Sequence, residues 1–248
     1  MFVTLIGTGN LGTNLHAALV KAGHDVQWLH GRGLKAEEVA GDVIIMAVKD
    51  DAIPSVAEAL TQYFYQPHPD KATGEPIEKK CPLLVHTAGS VPLCALPSKR
   101  RGVLYPMQTF SKHYIVDFSE IPVFIEAENE ADAELLQQLS SSVSRKVYPL
   151  DSRQRKSLHL AAVFACNFVN PCYSLSARCL SDIGLPFDIM LPLIDETARK
   201  VHTLSPKEAQ TGPAVRYDTT IIHSQEQMLT GLQQQIYTLM SQSIHETS

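Results

Sequence analysis

Six residues near the start of the chain, Gly7-Thr8-Gly9-Asn10-Leu11-Gly12, restrict the fold more than any other segment. They follow an apolar run, Phe2 to Ile6, and open the helical pattern of Leu11 to Lys21, which Gly23 closes. Three glycines at this spacing have separate tasks. The first permits a tight turn, the second lets a pyrophosphate approach the backbone, and the third lets the helix pack close to the strand. Free N–H groups and the dipole at the helix start supply an anion site. The chain is therefore expected to open as the first βα unit of a dinucleotide-binding parallel sheet. Gly7, Thr8, Gly9, Asn10, Leu11 and Gly12 are the expected cofactor contacts.

The next 120 residues continue the alternation of short apolar runs and helical patterns. Strands are predicted at Asp25 to Leu29, Asp42 to Val48, Leu83 to His86, Gly102 to Tyr105, Val123 to Ala127 and Lys146 to Leu150. Helices are predicted at Ile53 to Tyr63, with Pro54 in its first turn, and at Glu130 to Ser141. Gln66 to Pro82, rich in proline and charge, reads as an exposed loop.

The second strand ends in Trp28-Leu29-His30-Gly31-Arg32, with no carboxylate to bond a ribose 2′-OH. Arg32 can pair with a 2′-phosphate and His30 can add a donor, which favours NADP over NAD. About ten residues separate Arg32 from the strand at Asp42. That is too few for a helix, a strand and another helix, so the third strand of the sheet is expected to be absent or vestigial.

Beyond Asp151 strand signals vanish, and helical patterns run near 152–181, 187–203 and 219–243. Asp151 or Ser152 should cap the first, and Pro171 should kink it. The expected organisation is an α/β NADP-binding domain at 1–150 and an all-α substrate and dimerisation domain at 151–248.

The formal net charge of -5 and the pI near 6.0 disfavour nucleic acid as a partner, because a phosphate-tracking surface needs a basic excess. No apolar run approaches the roughly 20 residues of a membrane span, and the N-terminus does not read as a signal peptide. The five cysteines lack CxxC spacing and read as reduced core thiols of a cytoplasmic protein, with no metal site.

Ligands of open α/β sheets bind beyond the carboxyl ends of the strands. Two segments there carry suitable groups: Ala47-Val48-Lys49-Asp50-Asp51 and His86-Thr87-Ala88-Gly89-Ser90. Ala47, Val48, Lys49, Thr87, Ala88, Gly89 and Ser90 are expected near the cofactor, and His86 near nicotinamide or substrate.

These segments, with Tyr105-Pro106-Met107-Gln108-Thr109-Phe110, His159 to Asn167 and Thr211 to Asp218, give the chain its resemblance to a known family. It resembles bacterial Rossmann-like NADP oxidoreductases whose C-terminal half is a domain of unknown function. Those in turn are similar to pyrroline-5-carboxylate reductase, ketopantoate reductase and the β-hydroxyacid dehydrogenases. The resemblance implies a helical domain like the C-terminal domain of 6-phosphogluconate dehydrogenase, a cofactor cleft between the domains and a homodimer through the C-terminal helices. It implies a small-molecule substrate without naming one.

Where the β-hydroxyacid dehydrogenases carry a catalytic lysine one turn before an asparagine, this chain has Val163 before Asn167. His159, two turns before Asn167, is the candidate proton donor, since imidazole exchanges protons near neutral pH. Asn167 would orient a carbonyl or the nicotinamide amide. Arg216 would hold a carboxylate, and Thr109 and His113 are further candidates after their strand. The expected activity is NADP(H)-linked hydride transfer to or from a small carbonyl or imine compound bearing a carboxylate. The missing lysine keeps a non-catalytic NADP(H) sensor or scaffold as the alternative, and a deazaflavin partner as a third.

Overall fold

The computed structural model describes residues 1–66, 68–69, 76–77 and 81–247. Contacts divide the chain into two compact units, Met1–Cys166 and Asn167–Ser248.

The first unit is built on a seven-stranded sheet ordered β2-β1-β3-β6-β7-β8-β9. Its strands are β1 (Phe2–Ile6), β2 (Asp25–Leu29), β3 (Val43–Met46), β6 (Leu83–His86), β7 (Arg101–Pro106), β8 (Val123–Ala127) and β9 (Val147–Pro149). A separate antiparallel pair joins β4 (His68–Pro69) to β5 (Pro76–Ile77); the rest of the loop expected at Gln66 to Pro82 lies largely outside the described residues. Beside the sheet run α1 (Asn10–Lys21), α2 (Ile53–Tyr65) and α3 (Glu130–Val143).

Strand β3 shows why its sequence is continuously apolar. Side chains alternate between faces, so Val43 and Ile45 join the core with Leu15, Leu19, Leu136 and Leu139 from α1 and α3. Ile44 and Met46 join a second core with Ile53, Ala57 and Leu60 from α2. Both faces are buried, and no polar position is tolerated between them.

The third strand is absent: residues 33–42 contain only a 3₁₀ turn, Ala36–Glu38, leaving β2 at the edge. The sheet is not wholly parallel, however. β8 runs antiparallel to β7, with Pro106 opposite Val123 and Gly102 opposite Ala127. The link between them has no crossover helix, only a 3₁₀ turn at Phe118–Glu120, so the chain returns alongside the strand it left. The buried Asn14 of α1 holds this link. Its side chain donates to Ser111 O at 2.8 Å and accepts from Val116 N at 2.9 Å.

Helix α4 (Ser152–Ala162) still belongs to the first unit, so the division falls at 166/167, beyond the one expected near residue 150. Asp151 caps it through a reciprocal pair with Gln154. Ser152 does not cap; its hydroxyl donates to the Glu126 carboxylate and accepts from Leu93 N. One π-helical turn, Val163–Asn167, leads to α5 (Val169–Ser181). Pro171 lies in the first turn of α5, so the irregularity expected at the proline sits just before it. A proline cannot bond the carbonyl four residues back and clashes with it, and the wider π-turn relieves both.

The second unit holds α5, α6 (Leu191–Lys200), the short α7 (Pro206–Ala209), α8 (Thr219–Gln227) and α9 (Gly231–Thr247). The single helix expected at 219–243 is thus two, separated before Gly231 in its left-handed conformation (φ 59°). The cysteines form no disulfide, but Cys94, Cys166, Cys172 and Cys179 are exposed, not core residues. Among the described residues one helical run, Ser152–Ser181, is long and apolar enough to cross a membrane by length and composition, its most apolar 18-residue window having mean hydropathy 1.2.

Candidate functional site

The glycine turn lies between β1 and α1, against the end of β3. Gly7 has φ 125°, and a Cβ there would stand 2.2 Å from Ala47 O. Its N–H donates to Leu29 O at 2.8 Å, and its carbonyl accepts the Trp28 indole N–H at 2.9 Å. A Cβ on Gly12 would stand 2.1 Å from Gly7 O. These two glycines are required by the protein's own packing. Gly9 is different. Its backbone is ordinary (φ -74°, ψ -173°), it is exposed, and nothing lies within 4 Å of a Cβ built on it. It also starts α1 with no capping side chain, leaving the first-turn N–H groups, Asn10 and Leu11 among them, without that partner.

Beside the turn, Thr8, His30, Gly31 and Arg32 line an open concavity of ≈ 470 Å³. Thr8 Oγ1 and His30 Nδ1 are hydrogen-bonded at 3.0 Å. Gly31 lets this edge close on the next loop, because a Cβ would stand 2.7 Å from a Val48 methyl. Arg32 is exposed and has no ion pair among the described residues. Lys49 is also exposed, at the start of a 3₁₀ turn.

The segment after β6 is more enclosed than expected. His86 is fully buried, and its Nδ1 accepts from Ala88 N at 3.2 Å. Burial above all, with the Arg155 guanidinium adding to it, pushes His86 down to about 4. The Pro92 carbonyl opposes the shift without completing a hydrogen bond to Nε2. His86 is therefore a neutral core residue, not the exposed ligand contact that its strand-end position suggests. Thr87 and Ala88 are buried as well, with Thr87 Oγ1 donating to Met46 O at 3.4 Å. Of this segment Ser90 is exposed, and its hydroxyl donates to Asp50 at 2.8 Å, tying the loops after β3 and β6.

Gly89 meets His159. A Cβ on Gly89 would stand 2.6 Å from His159 Nδ1, so the imidazole rests directly on this glycine. The same nitrogen is 3.1 Å from the Tyr105 hydroxyl, and the two rings meet edge to face. Burial raises the Tyr105 phenol above its ordinary range; Arg155 opposes this and Asp50 adds to it. Helix α4 is fixed here by Arg155, 1% exposed, which ion-pairs with Glu126 of β8 and donates to Val91 O at 2.6 Å.

The first unit thus gathers two groups: the glycine turn with His30 and Arg32, and Gly89 with Tyr105 and His159. Thr109 is exposed on the loop after β7, as is His113. Asn167, at the end of the π-turn, and Arg216 are exposed residues of the second unit. Arg216 sits between Gly212 (φ 113°) and Tyr217 (φ 51°), and Asp218 caps α8 by accepting from Ile221 N. Tyr105, Glu126 and Arg155 escape the sequence reading as members of the site, and Asp50 entered it only as part of a strand-end segment. The one available signal is the tyrosine at the carboxyl end of a strand.

Residues 121–244 match the family model of a domain of unknown function, DUF2520. Among solved structures, a Bacteroides fragilis protein assigned by inference as an NADP oxidoreductase is 43% identical. The match covers 99% of this chain and 98% of that one, with TM-score 0.84. A Thermotoga maritima protein (19% identity, 99% and 97% covered, TM-score 0.71) shares the fold. So does a Plasmodium falciparum pyrroline carboxylate reductase solved with NADP bound (14% identity, 99% and 98% covered, TM-score 0.60). A search of curated proteins finds no match.

Proposed function

The chain belongs to the DUF2520 family, and from that premise we propose that it is an NADP(H)-dependent oxidoreductase acting on a small carbonyl or imine compound that bears a carboxylate. The observation that carries this reading is Gly9. Its backbone is unstrained and nothing in the chain lies within 4 Å of a Cβ built on it, so the space beside the start of α1 is open to a ligand. A pyrophosphate approaching the uncapped start of α1 fits that space. The inferred NADP oxidoreductase activity of the 43% identical relative agrees.

In this reading the N–H groups from Thr8 to Gly12 hold the pyrophosphate, and His30 and Arg32 hold a 2′-phosphate in the concavity beside them. Ala47, Val48, Lys49 and the Thr87-to-Ser90 loop border the rest of the dinucleotide, Thr87 and Ala88 through backbone alone. When bound, NADPH supplies the hydride. His159 supplies the proton, Asn167 and Arg216 position the substrate, and Thr109 assists. His86 supports the loop from beneath. A homodimer through the C-terminal helices, in the manner of 6-phosphogluconate dehydrogenase, and a cytoplasmic location complete the proposal.

The test of the cofactor is a fluorescence titration with NADPH and NADH. NADPH should bind at least about tenfold more tightly, and Arg32→Ala should abolish that preference. Equal affinities in the unaltered protein would refute the 2′-phosphate site. The alternative, a non-catalytic NADP(H) sensor, is favoured by Val163, which stands where related dehydrogenases have lysine. A screen of keto acids, imines and lactones for NADPH consumption separates the two. Activity that survives both His159→Ala and Asn167→Ala would remove their assigned roles.

A further inference from the structure

We propose that Tyr105 is a positioning residue for His159: its hydroxyl oxygen accepts the Nδ1 proton of the imidazole, so that Nε2 is the nitrogen that exchanges a proton with substrate. The inference rests on the reading of His159 as proton donor, and it goes beyond that reading by naming the nitrogen and what holds the ring.

Three observations carry it. The Tyr105 hydroxyl lies 3.1 Å from Nδ1, which commits that nitrogen to the protein. Gly89 has no left-handed backbone to explain its glycine, and the space a Cβ would take is filled by the same ring, 2.6 Å from Nδ1. Tyr105 is itself fixed: it is 9% exposed, it pairs with Phe124 across β7 and β8, and burial keeps its phenol protonated. Toward an imidazolium, whose two nitrogens both carry protons, the phenol oxygen can only accept, and once Nε2 has given up its proton the remaining one is already on Nδ1 against Tyr105.

The proton balance follows. In the reducing direction the ring begins as imidazolium, with Nδ1–H donated to Tyr105 and Nε2–H facing the substrate. Bound NADPH would supply the hydride pair, its own C–H bond breaking as it becomes NADP+, and the carbonyl or imine carbon would gain the new C–H bond. The C=O or C=N π pair would move to oxygen or nitrogen, which takes the Nε2 proton of His159. The ring is left neutral with its proton on Nδ1, and water reprotonates Nε2. In the oxidising direction the bare Nε2 accepts the proton. Transfer from a neutral ring would leave an imidazolate, which the assignment of Nδ1–H avoids.

The test is nitrogen NMR of protein labelled with ¹⁵N-histidine, in which imidazole shifts separate protonated from bare nitrogens. The His159 signals are those lost in His159→Gln. In the unaltered protein the neutral ring should carry its proton on Nδ1, and Tyr105→Phe should return it to a mixture rich in Nε2–H. Gly89→Ala, which drives a methyl into the ring, should lose the Nδ1–H signature too. A neutral ring protonated on Nε2, or a tautomer indifferent to Tyr105→Phe, overturns the proposal. With a substrate from the screen, Tyr105→Phe should lower kcat on the order of tenfold to a hundredfold with NADPH affinity unchanged within about twofold; an unchanged kcat also overturns it. Failure of NADPH to bind would overturn the oxidoreductase reading, while the tautomer result would stand on its own.

Discussion

A methyl group added at residue 89 would enter the imidazole of His159, whereas one added at residue 9 would enter open space. That contrast separates a glycine required by packing from one with open space beside it, where we propose that a ligand binds, and it leads to an uncommon expectation. Serine is a preferred helix N-cap, and residue 9 has room for it and a suitable backbone. Gly9→Ser should therefore leave stability unchanged or raise it by about 0.5 kcal/mol in urea unfolding. Its hydroxyl would occupy the N–H groups proposed to hold the pyrophosphate, so NADPH should bind at least about tenfold more weakly. Equal loss of stability and binding would show a structural role instead. Trp28 offers the readout. It is the chain's one tryptophan, it stacks on His16 with ring centroids 4.2 Å apart, and it donates to Gly7 O. NADPH binding at the turn should change its emission.

At the level of elements, α4 is held by a buried ion pair more than by apolar area. Arg155 is its one buried residue, and its charge is met by Glu126. Removing one partner leaves the other charge uncompensated, so Glu126→Gln or Arg155→Leu should each cost about 3–5 kcal/mol in urea unfolding. The double replacement Glu126→Leu with Arg155→Leu should recover part of that loss. Strand β6 carries a pH dependence of known sign. His86 is held neutral, down to about 4, while in the unfolded chain it titrates at its ordinary value. Between those values the unfolded state takes up the proton and the folded state does not. Stability from this residue is complete above about pH 6.5 and should fall by about 3 kcal/mol on acidification to pH 4. Urea midpoints measured across that range should show the slope, and His86→Phe should remove it if it folds.

At the level of the whole molecule, the large exposed apolar side chains need an explanation. Leu160 is 57% exposed, and Ile183, Leu193, Leu232 and Leu239 of the second unit are exposed by more than 60% each. Where such side chains form a contiguous patch they mark an association site. If the C-terminal helices form a dimer, light scattering should give about twice the chain mass of 27.3 kDa. Leu193→Glu with Leu239→Glu should then give a monomer; a monomeric unaltered protein would dismiss the dimer. The two units also predict a separable fragment. Residues 1–166 contain the glycine turn, Arg32, Tyr105 and His159, and should fold and bind NADPH alone.

Much of this architecture is legible in the sequence. The strand, glycine turn and helix at the N-terminus, the edge left by a missing third strand, and the change to helices after residue 150 all follow from local spacing and periodicity. Such signals need only neighbouring residues to agree. The candidate site was legible in part: the glycines, Arg32 and His159 were singled out from motifs, Tyr105 stood in a motif without being singled out, and Arg155 stood in none. Only the tertiary structure decided that β8 runs antiparallel, that α4 belongs with the sheet, that His86 is buried, and that His159 meets Tyr105 and Gly89. The Arg155–Glu126 pair joins residues 29 apart, and the His159–Tyr105 bond spans 54. No local pattern records which partners such groups find, because that depends on how the strands are ordered and on which face of the sheet each helix lands.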